Sequence, residues 1–246
     1  MGRAFEFRRA RKERRWGKMA VAFTKLSKEI TIAAKKGGPI PETNLRLRIA
    51  IEEAKSVNMP KDKIEGAIKR AAAKDAASIE EVVYEGYGPY GIAIIIECAT
   101  DNPTRTVGNI RSYFTHAGGS LGTVGSVDFL FERKGVFRFP LGAQPPDELE
   151  LSLIDEGLEE FETAEGQVYI YTGFNDFQRM QKALEERNLG PVSGEIMRIP
   201  VTTLPLPEDK AKEINALIEK IEDDEDVQAV YHTMKEGKEG EEGTGG

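Results

Sequence analysis

Residues 80–106 read EEVVYEGYGPYGIAIIIECATDNPTRT, and this stretch decides the fold of the central part of the chain. Two runs rich in Val, Ile and Tyr, at 81–85 and 92–99, flank a turn that contains three glycines and a proline. Such an arrangement is typical of a β-hairpin. The pair at 101–102, Asp-Asn, then precedes Pro103 and predicts the capped start of a helix.

The segments that follow this hairpin predict two α/β units. A third strand at 127–132 gives the order β-β-α-β, and the next segment has the ferredoxin-like order β-α-β-β-α-β. A proline-containing linker at 200–207 then leads to a helix at 208–222 and a strand at 227–232. These last two elements supply the α-β pair that the first unit lacks, so we expect the second unit to be inserted into the first.

The N-terminal part has apolar residues at helical spacing from Met19 to about Lys74, which predicts three helices. The fold class is therefore expected to be α+β, with an N-terminal three-helix bundle that carries a basic arm, and two ferredoxin-like α/β units. The predicted domains are 1–76, then 77–133 together with 205–234, then the insert 134–204. Residues 235–246 have no apolar side chain, and a disordered tail is expected there.

Charge is strongly segregated along the chain. Residues 1–74 hold 20 Lys+Arg and 8 Asp+Glu, a net charge of +12, whereas the rest holds 14 and 34, a net charge of −20. Such asymmetry favours a polyanionic partner for the basic part, and nucleic acid, DNA or ribosomal RNA, is the leading candidate. The candidate nucleic-acid-binding residues are Arg8, Arg9, Arg11, Lys12, Arg14, Arg15 and Lys18, followed by Lys25, Lys28, Lys35 and Lys36.

Two simpler interpretations of these residues stay open. Lys and Arg on surface helices can serve solubility alone. The aromatic residues interleaved with the charge could stack on unpaired bases, but such side chains more often belong to a core; they are Phe5, Phe7, Trp16 and Phe23.

Composition argues against several other classes of protein. No run approaches the ~18 apolar residues of a membrane span. No secretory signal is visible, so a cytoplasmic location is expected. With one cysteine, Cys98, and two histidines, His116 and His232, neither a metal nor a cofactor is expected. The glycine run at 118–125 follows a helix and precedes a strand, which favours a helix C-cap and loop over a phosphate-binding loop.

Other polar residues suggest weaker hypotheses. Tyr87, Tyr90 and Arg105 are candidate contacts for a partner, because the tyrosines lie at the hairpin turn and the arginine in the first turn of a helix. An enzyme would need an acidic pocket formed by Glu85, Glu97 and Asp101. Catalysis is otherwise unsupported, so the protein is expected not to be an enzyme. The acidic run at 222–226 is interpreted as a solvated helix end or a patch that repels nucleic acid.

Several motifs together resemble the YebC-like family. They are YEGYGPYG at 84–91, IECATDNPTRT at 96–106, GGSLGTVGSVDFLFERKG at 118–135, NLRLRIAIEEAKSVNMPKDKIEGAIKRA at 44–71 and DVQAVYHT at 226–233. The family commonly begins with Gly-His-Ser-Lys-Trp, whereas this chain has GRAFEF at 2–7, so contacts of that His and Ser cannot be transferred.

The resemblance implies a three-domain α+β protein that binds nucleic acid without catalysis. Members of the family are usually called probable transcriptional regulators that bind DNA. A mitochondrial relative is a translational activator, and other members assist translation at the ribosome. The resemblance therefore implies a DNA-binding transcription regulator, with a translation factor bound to ribosomal RNA as the alternative.

Overall fold

The structure is a computed structural model, and it describes residues 19–72, 79–142, 145–164, 166–187, 189 and 193–235. The helices are α1 Met19–Gly37, α2 Leu45–Ser56, α3 Lys61–Ala72, α4 Pro103–His116, α5 Pro146–Leu153, α6 Phe177–Glu186 and α7 Glu208–Glu222. The strands are β1 Glu80–Tyr87, β2 Ala93–Thr100, β3 Ser120–Leu121, β4 Phe131–Pro140, β5 Leu158–Ala164, β6 Gln167–Gly173, β7 Ser193–Pro200 and β8 Val227–His232. The predicted α+β class, with N-terminal helices before two antiparallel sheets, is confirmed.

The N-terminal bundle packs α1 against both α2 and α3. Leu26, Ile30 and Leu47 are among the residues buried between the helices. Asn44 joins the first two helices: its side chain accepts a hydrogen bond from the Leu47 amide and donates to the carbonyl of Ala33. This N-cap therefore fixes both the start of α2 and its position beside α1.

The first sheet has the strand order β3-β1-β2-β8, with every neighbouring pair antiparallel. Helices α4 and α7 cover one face of this sheet through residues such as Phe114 and Ile218. Because β8 pairs with β2, a strand near the end of the described chain completes a sheet that begins at Glu80.

The second sheet has the order β5-β6-β4-β7, also antiparallel throughout, which is the strand order of a ferredoxin-like unit. Helices α5 and α6 cover its outer face, where the rings of Phe137 and Phe177 stack with centroids 4.7 Å apart. The inner faces of the two sheets pack on each other through Ile95, Tyr171 and Tyr231, among others. The α/β body therefore has four layers: helices, sheet, sheet, helices.

One predicted strand, at 127–132, is wrong. Residues 128–130 form a short 3-10 helix, and Phe131 is the first residue of β4, which pairs with β7 in the second sheet. The third strand of the first sheet is only Ser120–Leu121. The amides of Val127 and Asp128 are hydrogen-bonded to a side chain, described below, and so are not available for a sheet ladder. The domain limits stay a prediction.

Candidate nucleic-acid interface

The predicted basic residues fall into two groups. Arg8, Arg9, Arg11, Lys12, Arg14, Arg15 and Lys18 lie outside the described residues. Lys25, Lys28, Lys35 and Lys36 all lie on α1, where the described bundle, residues 19–72, holds eleven Lys+Arg and six Asp+Glu.

Lys25 and Lys28 face the α/β body. The Nζ of Lys25 donates to the carbonyl of Glu222 at 2.5 Å, and the Nζ of Lys28 donates to the carbonyl of Glu225 at 2.9 Å. These carbonyls lie at and just beyond the C-terminus of α7, where positive charge is favourable. The two lysines therefore attach the bundle to the body.

Asp226 is the centre of this attachment, and its side chain is only 3% exposed. Its carboxylate accepts hydrogen bonds from Lys28 at 2.5 Å, Arg105 at 2.8 Å and Thr106 at 2.7 Å. Burial alone would raise the pKa of Asp226, but these hydrogen bonds outweigh it and lower the pKa from 3.8 to about 2. The interpretation of the acidic run as a solvated or repelling patch is therefore wrong for Asp226.

A second set of ion pairs joins the bundle to the body at Glu81. This carboxylate is bonded to Lys36 and, at 2.7 Å, to Arg46, which also binds Glu29. Burial would raise the pKa of Glu81, but the two cations lower it overall. Lys36 remains largely solvent-exposed, as does Lys35. These two lysines lie in the last turn of α1.

Helix α3 carries further exposed basic side chains: Lys61, Lys63, Lys69 and Arg70. It follows α2 after four residues, 57–60, and the chain reverses there at Asn58, which has a φ of 58°. A connection of this length is typical of helix-turn-helix modules. No helix-turn-helix signature stands out in the sequence, so this feature emerges only from the structure.

A groove of about 780 Å³ runs between α1 and α3. Its apolar wall includes Phe23, Met59 and Ile79, and its cations are Lys28, Lys63 and Arg70. Gly66 lies among the lining residues, in the middle of α3. Lys63, Gly66 and Arg70 do not stand out in the sequence, because an amphipathic helix with scattered lysines is common on protein surfaces; the only signal was a glycine inside a helical pattern.

The candidate partner contacts lie at different places. The hydroxyl of Tyr90, at the exposed hairpin tip, donates to Glu213 at 2.6 Å, and Lys210 lies over its ring. Tyr90 has a φ of 63°, which is rare for an aromatic residue. Tyr87 is half-buried and contacts the loop 122–130 through Ser126. Arg105 binds Asp226 and so belongs to the attachment of the bundle.

Glu85 organises the loop 122–130. Its buried carboxylate accepts hydrogen bonds from the amides of Gly125, Val127 and Asp128 at 2.7, 2.8 and 3.1 Å. Burial would raise the pKa of Glu85, but the three amides lower it overall. Gly118 and Gly125 have positive φ, as the predicted C-cap and loop require. Within this loop Val124 and Phe129 stay 87% and 71% exposed.

The three carboxylates of the enzyme hypothesis are each held by different partners. Glu85 is held by backbone amides, Glu97 lies 3.0 Å from Arg198, and Asp101 lies 2.8 Å from Arg105. Among the described residues no group of His, Cys, Asp and Glu could hold a metal ion. Burial raises the pKa of Cys98, which makes its thiol unreactive. No helix of the described chain is long and apolar enough to cross a membrane.

Comparisons with known proteins cover both parts of the chain. Residues 3–74 match the family described as "TACO1/YebC protein N-terminal domain", and residues 79–234 match "TACO1/YebC second and third domain". A "Probable transcriptional regulatory protein" of Cytophaga hutchinsonii is 58% identical over 96% of this chain and 99% of its own length. A protein of Porphyromonas gingivalis with the same name is 54% identical over 96% and 98%.

A solved structure has the same fold. The crystal structure of a conserved hypothetical protein from Aquifex aeolicus is 38% identical, with a TM-score of 0.75, and the match covers 87% of this chain and 89% of that one. Agreement in sequence along both parts of the chain and in fold leads to one conclusion. The chain belongs to the TACO1/YebC family, whose members include proteins named as probable transcriptional regulators.

Proposed function

We propose that this protein is a non-enzymatic, cytoplasmic regulator of gene expression that binds nucleic acid through its basic N-terminal third. The observation that carries the proposal is the charge segregation, +12 in residues 1–74 and −20 in the rest. Contacts with phosphates supply most of the affinity in such an interface and depend strongly on salt. The acidic body orients the basic part, because it binds Lys25 and Lys28 and leaves other cations of the bundle exposed.

Duplex DNA is the first candidate target. The relatives' name, "Probable transcriptional regulatory protein", supports it, since transcription takes place on DNA. The exposed cations of α3 and its four-residue connection to α2 also support it, because in helix-turn-helix proteins the helix after such a short turn enters the major groove. Phosphate contacts alone give little sequence discrimination, so recognition of DNA shape is favoured over a specific operator.

Ribosomal RNA is the second candidate target. It is favoured by the groove between α1 and α3, whose apolar wall and cationic rim suit unpaired bases better than a regular duplex. The same basic segment would then supply contacts with RNA phosphates.

A competition titration distinguishes these targets. A labelled DNA duplex bound to the protein is displaced by unlabelled duplexes, ribosomal RNA or ribosomes at several salt concentrations. Preference for one duplex that persists at physiological salt supports a transcription regulator. Displacement by ribosomes, with DNA binding that is lost as salt rises, identifies a translation factor. Failure of every one of these nucleic acids to bind at low salt refutes the proposed function.

A further inference from the structure

The groove between α1 and α3 combines an apolar wall with a cationic rim. We propose that it binds an unpaired nucleotide of RNA, with the base against its apolar wall and the phosphate on its cationic rim. This inference rests on the proposed function, because it assigns a specific contact to a surface that is proposed to bind nucleic acid. Met19, where α1 begins, directly follows Lys18 in the sequence, so the groove residues of α1 come soon after the basic N-terminal segment in the chain.

Gly66 provides an independent reason to expect a ligand. Glycine inside a helix lowers stability relative to alanine, so its presence in the middle of α3 calls for a reason. The packing of the described residues gives none: among them, the nearest neighbour of a Cβ at this position would be the Nη1 of Arg70, at 3.9 Å. The backbone of Gly66 is instead left open to the groove, where a ligand can approach it closely.

The apolar wall suits a nucleobase. Phe23 is half-buried, so part of its ring lies at the groove while the rest packs in the bundle core. Met59 and Ile79 complete a surface on which the face of any base can lie. The groove volume, about 780 Å³, lies within the range of roughly 300–1,000 Å³ that is typical of ligand sites.

The rim suits a phosphate and a ribose. Lys63 has its Nζ 5.2 Å from the centre of the Phe23 ring and makes no ion pair in the described part of the chain. Arg70 lies seven residues, about two turns, further along α3 and contacts the hydroxyl of Ser27. Asp62 is the one carboxylate among the described lining residues, so the charge of the rim is positive. The hydroxyl of Ser27 favours RNA, since it accepts from Arg70 and can still donate to a ribose 2′-hydroxyl.

The test compares two glycine substitutions in the full chain. Gly66→Leu fills the floor of the groove with a residue that favours helices, so the protein is expected to fold with an unfolding midpoint at or above that of the parent. Gly108→Leu is the matched control: Gly108 also lies inside a helix, α4, and also has open space around it, but it lines no basic groove. Arg70→Gln removes a rim cation without filling the groove.

The probes are short labelled oligouridine, oligothymidine, a DNA duplex and an oligoglutamate peptide, with binding followed by fluorescence anisotropy. We expect Gly66→Leu and Arg70→Gln each to weaken oligouridine binding by about tenfold, because the first displaces a stacked base and the second removes a phosphate contact. Gly108→Leu should bind oligouridine like the parent. Gly66→Leu should bind the duplex as the parent does. Circular dichroism confirms that each variant is folded.

Five results would overturn the proposal. Unchanged oligouridine binding in Gly66→Leu excludes the groove but leaves the proposed function intact, whereas a parent protein that binds none of the probes refutes the proposed function itself. Equal weakening of duplex binding would mean a general phosphate surface, and equal weakening of oligothymidine binding would remove the assignment to RNA. If Gly66→Leu weakens binding of the oligoglutamate peptide and of no nucleic-acid probe, the groove binds an acidic protein segment.

Discussion

The Nζ of Lys28 lies 2.5 Å from Oδ1 of Asp226, a residue 198 positions away in the chain. The Lys28 side chain is 16% exposed and that of Asp226 is 3% exposed, so both charges are largely removed from water. This ion pair joins the bundle to the first sheet of the body. Because Arg105 and Thr106 bind the same carboxylate, the pair belongs to a network whose members support one another.

Removing the charge of Asp226 should destabilise the protein. Asp226→Asn leaves Lys28 and Arg105 without their shared carboxylate, and breaking a buried pair in this way costs about 3 kcal/mol in the free energy of unfolding. Urea unfolding measures the effect. Glu186→Gln is the control, because Glu186 is 65% exposed in its pair with Lys182 and should change stability by less than about 0.5 kcal/mol. Equal destabilisation by the two substitutions would show that Asp226 is not central to the contact between the bundle and the body.

The pH dependence of stability should report the same carboxylate. The pKa of Asp226 is lowered from 3.8 to about 2 in the folded protein, so its ionised form stabilises the fold above pH 3.8. This stabilisation should be lost as pH falls through that interval towards 2. The difference in stability between the parent and Asp226→Asn should therefore be constant near neutral pH and shrink in this acidic range. A difference that does not change with pH would contradict the shift.

Two lysines of the bundle should have separable effects. Lys28→Ala should lower the free energy of unfolding more than it lowers nucleic-acid affinity, since Lys28 faces the body. Lys63→Ala should do the reverse, because Lys63 is exposed on α3 and makes no ion pair among the described residues. Loss of one phosphate contact should reduce the salt slope of binding by about 1. Thermal unfolding measures the change in stability, and anisotropy titrations measure the change in affinity. A Lys28→Ala variant that mainly loses affinity, or a Lys63→Ala variant that mainly loses stability, would contradict the prediction.

Glu85 should control the rigidity of the loop 122–130. Glu85→Gln removes the charge and one of the two acceptor oxygens that hold three backbone amides, and an unsatisfied buried donor costs about 1–3 kcal/mol. Hydrogen exchange in peptides from this loop should become faster, while exchange in β5 and β6 stays the same. Glu160→Gln, a half-buried glutamate of β5 outside this loop, serves as the control. Protection of the loop that survives in Glu85→Gln would show that other contacts hold it.

Much of the fold can be predicted from local pattern. The hairpin of β1 and β2 follows from its turn residues, and α4 begins at Pro103 with Asn102 as its cap, whose side chain accepts from the Arg105 amide. The sequence pattern ends a strand at 132 although β4 continues to Pro140, because Glu132, Arg133 and Lys134 interrupt the apolar run of this strand. Gly135 lies inside this strand. A larger residue would not fit there, because a Cβ at this position would lie 2.5 Å from the ring of Phe177.

Only the amino-acid composition of the candidate site could be predicted from the sequence, and not the orientation of its side chains. Basic charge at the N-terminus is visible in the sequence, but which lysines face the body depends on residues such as Glu222 and Asp226 that are far away in the chain. Local pattern contains no information about such distant partners. For the same reason the acidic run at 222–226 looks solvated in the sequence, whereas Asp226 is buried.

The central claim is that the segment before α1 binds nucleic acid through its charge. The most direct measurement is the salt dependence of binding to duplex DNA and to ribosomal RNA for a triple variant, Arg9→Glu, Lys12→Glu and Arg15→Glu. The matched control changes the net charge equally on the body, with Lys182→Glu, Lys212→Glu and Lys220→Glu, all exposed residues. We expect weaker binding in the first variant only, with a slope reduced by about 0.9 for each lost DNA phosphate contact and somewhat less for RNA. Equal binding by both variants would contradict the claim.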